Sequence, residues 1–130
     1  MASIFSKIIS GDIPCYKIAE EENYFAFLDI NPLEKGHTLV IPKKETDYIF
    51  DLDDKTYTGL HLFAKKIASA LKRAVSCKRI AVAVLGLEVP HAHVHLIPMN
   101  DLSATNFMKP KLKLSKEEFE EIAAKIIKEL

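Results

Sequence analysis

A chain of 130 residues, 48% of them apolar, is long enough to bury one proper core and lies near the commonest domain size. Its 18 basic residues balance 18 acidic ones, which excludes a long-range field able to draw in nucleic acid or an anionic membrane surface. The two cysteines, Cys15 and Cys77, form no Cys-x-x-Cys, so neither a disulfide framework nor a thiolate zinc site is indicated. With no leader-type h-region near Met1 and nothing of membrane-spanning length, a reducing cytoplasm is the expected setting.

In chain order, Ser3 to Gly11 reads as a short helix, capped by a serine and stopped by a glycine able to turn left-handed. Tyr16 to Glu20 and Tyr24 to Leu28 read as a hairpin across the polar break Glu21-Glu22-Asn23. Asn31-Pro32 and Lys35-Gly36 are turn chemistry, and His37 to Ile41 is a third strand closed by Pro42. Lys43 and Lys44, just beyond it, read as a solvated sheet edge. From a cap at Asp53 or Asp54, Tyr57, Leu60, Ala64, Ile67 and Leu71 recur at steps of three and four, which predicts a long helix ending near Ala74. His61 lies on or beside its apolar face and is read as structural.

Arg79 to Leu85 and Ala92 to Pro98 are two further strands, joined by a tight link through Gly86 and Pro90. Residues 101–114 have no period and form the one candidate loop for mobility. Ser115 and Glu118 have capping-box spacing ahead of the stripe Phe119, Ile122, Ala123, Ile126, Ile127 and Leu130, so the C-terminal helix spans 115–130. The order predicts one α+β domain over 1–130: a five-stranded antiparallel sheet with a long central helix, a short N-terminal helix and a C-terminal helix.

The chemistry concentrates at His91-Ala92-His93-Val94-His95-Leu96-Ile97. Strand side chains alternate faces, so His91, His93 and His95 line one surface while Ala92, Val94 and Leu96 pack on the other. The outer two histidines lie about 13 Å apart at Cα in an extended strand, too far for all three to close on one ion. A His-x-His metal site using two of them with a carboxylate such as Glu88 and one more histidine stays open beside nucleophilic catalysis. A neutral imidazole is a competent nucleophile and leaving group near neutral pH, and its neighbours supply hydrogen bonds to a phosphate without any metal.

This run resembles the His-φ-His-φ-His-φ-φ signature, φ being apolar, of the histidine triad family of nucleotide hydrolases and transferases. The similarity extends to Ile4-Phe5-Ser6-Lys7-Ile8-Ile9, Ile13-Pro14, Ala26 through Pro32 and His37 through Lys44. The resemblance implies that His93 attacks the α-phosphorus of a purine nucleoside phosphoramidate, dinucleoside polyphosphate or similar ester, and that water hydrolyses the nucleotidyl-histidine. It implies that His95 contacts the phosphate and assists the leaving group while His91 and His37 orient His93. Asp29 matches the ribose-binding acid, Phe5, Ile8, Phe27, Ile30 and Leu39 match the base pocket, and Gly86 lies in the loop beside the phosphate. It also implies a homodimer and no bound cofactor.

Two departures stand out. Some bacterial members hold a structural zinc on a Cys-x-x-Cys near the start and a histidine after Pro-Lys-Lys; here those positions are Ser3, Ser6 and Glu45, so no zinc is expected. Many members carry amide and hydroxyl donors before the triad, where this chain has Gly86-Leu87-Glu88, and Ala83 offers no amide in the preceding strand. A carboxylate near a phosphate favours a cationic or amine leaving group. The same departures motivate a second reading, a nucleotide-binding or regulatory module with little turnover; a metalloenzyme is the third.

Overall fold

The computed structural model describes residues 2–130. Helix α1 covers Ile4–Ser10: the Ser3 side chain accepts from Ser6 N–H at its start, and Gly11, with φ 88°, ends it. Strands β1 (Lys17–Glu20) and β2 (Tyr24–Leu28) form the expected hairpin, with a register irregularity between Lys17 and Ala19. Strand β3 (Thr38–Pro42) pairs antiparallel with β2. Helix α2 (Asp54–Ala74) is capped by Asp53, whose carboxylate accepts from Thr56 N–H. Strands β4 (Arg79–Ala83) and β5 (Val94–Met99) pair with each other, and helix α3 (Lys116–Lys128) starts on the full Ser115–Glu118 capping box. Short 3-10 turns at Ile49–Asp51 and Leu102–Thr105 complete the chain.

The sheet order is β1-β2-β3-β5-β4, so β5, which carries the triad, pairs on both sides, with β3 and with β4. The strand alternation divides the interior. Ala26, Leu28, Val40, Val94 and Leu96 face α2, whose Leu60, Phe63, Ala64, Ile67 and Leu71 are buried, and Phe119, Ala123 and Ile126 of α3 complete that core. On the opposite face Phe25, Phe27, Leu39 and Ile41 pack against Phe5 of α1. Farther along that face Leu33, Ile97 and Ala104 form a third cluster that anchors residues 102–105. The histidine row lies on this second face, between α1 and the segment after β5.

Two expectations need correction. Lys43 and Lys44 do not follow an edge strand, because β3 lies between β2 and β5; Lys43 instead reaches Glu20 at 2.7 Å. The strand expected over Arg79 to Leu85 stops at Ala83, and β4 is one of the sheet's two edges, with Val82 61% and Leu85 just beyond it 53% exposed.

Gly59 marks a close approach inside α2: a Cβ there would lie 1.9 Å from Tyr24 Oη. Gly→Ala in a helix interior normally stabilises by about 1 kcal/mol, but forcing Tyr24 out of its packing costs about 1–3 kcal/mol. Gly59→Ala is therefore expected to melt below the wild type, and a higher melting temperature would refute the clash.

Candidate active site

All four expected histidines are buried: His37 is 2%, His91 0%, His93 7% and His95 7% exposed. The register pairs Leu39 with His95, Phe27 with Leu39 and Ala83 with His95, so one row runs Phe27, Leu39, His95, Ala83 across the sheet. Ala92, Val94 and Leu96 all enter the opposite core, as the alternation requires.

Hydrogen-bond partners fix the protons on these rings. His91 Nε2 lies 2.8 Å from the Pro42 carbonyl and must donate to it, so Nδ1 is the acceptor, 2.8 Å from the Ser3 hydroxyl. His93 Nδ1 donates to the His91 carbonyl at 2.7 Å. Leu33 N–H donates to His37 Nδ1 at 3.0 Å, so His37 Nε2 carries a proton and donates to His95 Nδ1 at 2.9 Å. His95 then carries its remaining proton on Nε2. Of the eight ring nitrogens in the four imidazoles, only His93 Nε2 holds a lone pair uncommitted among the described residues.

Burial keeps these rings neutral. It lowers His37 to about 3, with further lowering from His95, and lowers His95 to about 4, with further lowering from His93. His93 is lowered by burial too, against the His91 carbonyl and the Asp29 charge, and His91 by burial against the Pro42 carbonyl. Asp29 moves the other way, raised by desolvation although Asn31 N–H donates to its Oδ1 at 2.9 Å. Its Oδ2 lies 3.6 Å from His37 Nε2, but with His37 neutral this is no ion pair.

A cavity of about 520 Å³ opens beside the row, within the range of small-molecule sites. Phe5, Ile8, Phe27, Ile30, Leu39, Asp29, Gly86, His37, His93 and His95 all border it, while His91 stands behind His93. Ile30, 61% exposed, lies at the rim rather than deep inside. Glu88 and Leu87 both border the cavity, Leu87 at its rim with 94% exposure. His61 stands apart, with its Nδ1 3.0 Å from the Tyr57 carbonyl, and borders a different hollow.

Sequence reasoning missed the wall built by residues 107–111. Phe107 sets its ring against His95, centroids 4.9 Å apart, and against His37 at 6.4 Å. Lys111 donates to the Phe107 carbonyl at 2.7 Å and brings a cation to the cavity. Lys109 pairs with Glu34, and Leu112 N–H donates to the Pro32 carbonyl, tying this segment to the turn before β3. An aromatic and two lysines in an aperiodic stretch were the only signal.

Asp29, His37 and His95 place donor atoms within 4.8 Å of one another. They suit a metal poorly, because His37 Nε2 could ligate only if its proton moved to Nδ1, where Leu33 N–H already donates at 3.0 Å. Nor do Ser3, Ser6 and Glu45 suit zinc. Glu45 Oε1 accepts from Ser3 N–H at 2.5 Å and from the Ser6 hydroxyl at 2.7 Å, and the Ser3 hydroxyl proton goes to His91. These two donors hold the Glu45 carboxyl down to about 2.

The HIT domain model matches residues 10–102. An uncharacterized HIT-like protein of Borreliella burgdorferi is 40% identical, over 95% of this chain and 94% of its own length. The adenosine 5'-monophosphoramidase hnt1 of Schizosaccharomyces pombe is 36% identical, over 97% of this chain and 99% of its own. The crystal structure of a Hit-like protein involved in cell-cycle regulation from Bartonella henselae superposes with a TM-score of 0.85 at 34% identity, covering 98% of this chain and 96% of that one. Matched along nearly its whole length in sequence and in fold, the chain belongs to the HIT domain family.

Proposed function

We propose that this protein hydrolyses the phosphoramidate bond of AMP-like purine nucleotides through a nucleotidyl intermediate on His93. The observation that carries the reading is the proton inventory: among the four imidazoles of the site, His93 Nε2 holds the one free lone pair, and its ring borders the cavity. Nε2 attacks the α-phosphorus, and the P–N bond breaks as the leaving nitrogen takes a proton through His95 Nε2. Water then attacks phosphorus and gives a proton back through His95 Nε2, His93 Nε2 recovers its lone pair, and the 5'-monophosphate is released.

His95, receiving the His37 proton on Nδ1, offers Nε2–H as a neutral hydrogen-bond donor to the phosphate and leaving group. His91 holds His93 through its carbonyl. Asp29 is suited to accept ribose hydroxyls, and Phe5, Ile8, Phe27 and Leu39 supply an apolar berth for the base. Lys111 is the cation that offsets phosphate charge in a site of neutral imidazoles. Glu88 at the rim favours an amine over a phosphate as the leaving side, which ranks phosphoramidates ahead of dinucleoside polyphosphates. No metal or other cofactor enters this scheme.

The relative named as an adenosine 5'-monophosphoramidase supports the same reaction. Incubation with adenosine 5'-phosphoramidate is expected to yield AMP, and acid-quenched enzyme should carry one AMP mass on His93. Micromolar AMP binding with no turnover across phosphoramidates and dinucleoside polyphosphates would replace this reading with the binding-module one.

A homodimer fits the free edge of β4, which presents Ile80, Ala81 and Val82 with no proline or inward charge to block pairing. Beside it Tyr48, Phe50, Leu85 and Leu87, all more than half exposed, border a hollow of about 350 Å³. Val82→Lys is expected to convert the dimer to monomer in sedimentation velocity, and an unchanged sedimentation coefficient would move the interface elsewhere. No described helix is long and apolar enough to cross a membrane, and two free thiols fit a reducing cytoplasm.

A further inference from the structure

We propose that Ser3, Ser6 and Glu45 form a metal-free clasp on His91 that sets the position of His93, so that Ser3 and Glu45 are positioning residues of the catalytic centre. The inference rests on the assignment of His93 as nucleophile and deepens it.

Helix α1 has seven residues, too few to hold its own geometry in water. Two things fix it: Phe5, wedged edge-on between Phe27 at 5.5 Å and His93 at 5.0 Å, and the polar contacts at its start. One oxygen of Glu45, which follows β3 by three residues, gathers Ser3 N–H and the Ser6 hydroxyl from a segment some forty residues earlier in the chain. Each donor there has a near acceptor, and for the Ser3 hydroxyl His91 Nδ1 at 2.8 Å is closer than Ser6 Oγ at 3.4 Å. The Ser6 hydroxyl proton goes to Glu45, Ser6 N–H goes to Ser3 Oγ at 3.0 Å, and the Ser3 hydroxyl proton goes to His91 Nδ1.

The clasp continues into the reacting group. His91 is wholly buried and is held at both nitrogens, by Ser3 and by the Pro42 carbonyl. Its own carbonyl accepts the His93 Nδ1 proton that leaves the Nε2 lone pair free. A path of hydrogen bonds thus joins Glu45, Ser3, His91 and His93, while Phe5 presses on the same two rings, 5.8 Å from His91 between centroids. Loss of the Ser3 hydroxyl leaves a buried imidazole acceptor without a partner, and loss of Glu45 frees the helix start that presents that hydroxyl.

The positions also explain the serines. Ser3 Oγ lies 2.8 Å from His91 Nδ1 and 3.4 Å from Ser6 Oγ, and Ser6 Oγ lies 2.7 Å from Glu45 Oε1, a chain of contacts through the three positions where the resemblance puts two thiolates and an imidazole around a zinc ion. Here hydrogen bonds serve the anchoring purpose that a metal serves in such a site, and His91 Nδ1 remains an acceptor in either case.

The test compares Ser3→Ala, Glu45→Ala and Glu45→Gln with wild type, using adenosine 5'-phosphoramidate. The two alanine variants are expected to lose about tenfold in kcat with KM within about twofold, as small displacements of a reacting group do. Glu45→Gln keeps an oxygen acceptor for both donors and is expected to retain the wild-type kcat. The His93 Nδ1 proton should broaden or shift upfield in the NMR spectrum of Glu45→Ala, while the His37–His95 proton stays in place. A triple variant, Ser3→Cys with Ser6→Cys and Glu45→His, should bind one zinc per chain and lose kcat reversibly on chelation. Unchanged kcat and an unchanged His93 signal in folded Ser3→Ala and Glu45→Ala would overturn the clasp. If the alanine variants do not fold, a zinc-loaded triple variant whose kcat ignores chelation overturns it instead. Wild-type turnover by His93→Ala, with the clasp variants impaired, would overturn the nucleophile assignment and not the coupling.

Discussion

His93→Ala is expected to lose at least about 10⁴-fold in kcat/KM and all of the covalent AMP adduct, because a nucleophile contributes a bond and not merely a contact. The size follows from the inventory of lone pairs. His37, His91 and His95 each have both nitrogens assigned or turned to donation, so no neighbouring imidazole can take over the attack. Asp29, the nearest carboxylate, is partly spent on Asn31 N–H. His95→Ala removes a hydrogen bond to the phosphate and is expected to cost less, about 10²-fold. The pH profile carries an independent sign. Attack needs the unprotonated ring, and burial lowers His93 below the usual 6.5, so kcat/KM should stay level down to pH 6.5 and fall only in more acid solution. Wild-type-level turnover by His93→Ala, or an adduct that maps to another residue, would end the assignment.

How much of this was legible beforehand depended on the range of the interaction. Ser3, Gly11, Asp53 and the Ser115–Glu118 pair act within one helical turn, and each stands where the local pattern puts it. The face of the triad was legible for the same reason, since alternation is a property of neighbours. The proton positions were not. They depend on β3 lying beside β5, which brings His37 to His95 across 58 positions of sequence, and on Leu33 N–H turning back to His37 within the intervening turn. Lys43 was misjudged because strand order, not strand composition, decides which strand is an edge. Phe107 and Lys111 left no period to follow, their segment being held by Glu34 and Pro32 rather than by a repeating face. Glu45 looked like a lost zinc ligand; its link to Ser3, Ser6 and His91 required the helix and the strand end to meet.

Acid should unfold this protein well before its carboxylates are titrated. His37 and His95 are neutral in the fold, with values of about 3 and about 4, against 6.5 in the unfolded chain. Below pH 6.5 the unfolded state takes up protons that the folded state refuses. The stability these two groups support is therefore whole above 6.5, is lost as pH falls, and is gone once pH passes the folded values. Between pH 7 and pH 4.5 the two together amount to about 5 kcal/mol at 1.36 kcal/mol per unit. That is comparable with the whole stability of a small domain, about 5–15 kcal/mol. Asp29, raised by burial, opposes the trend, while Glu45 and Asp53, lowered by their hydrogen bonds, reinforce it at still lower pH. Urea titrations at pH 7 and pH 4.5 should show the midpoint falling steeply with an unchanged slope. Replacing both rings with glutamine, which cannot titrate, should lower stability at pH 7 and flatten the dependence on pH. Equal midpoints at the two pH values in the wild type would mean that His37 and His95 accept protons in place, and the neutral donor path from Leu33 N–H through His37 to His95 would fall with them.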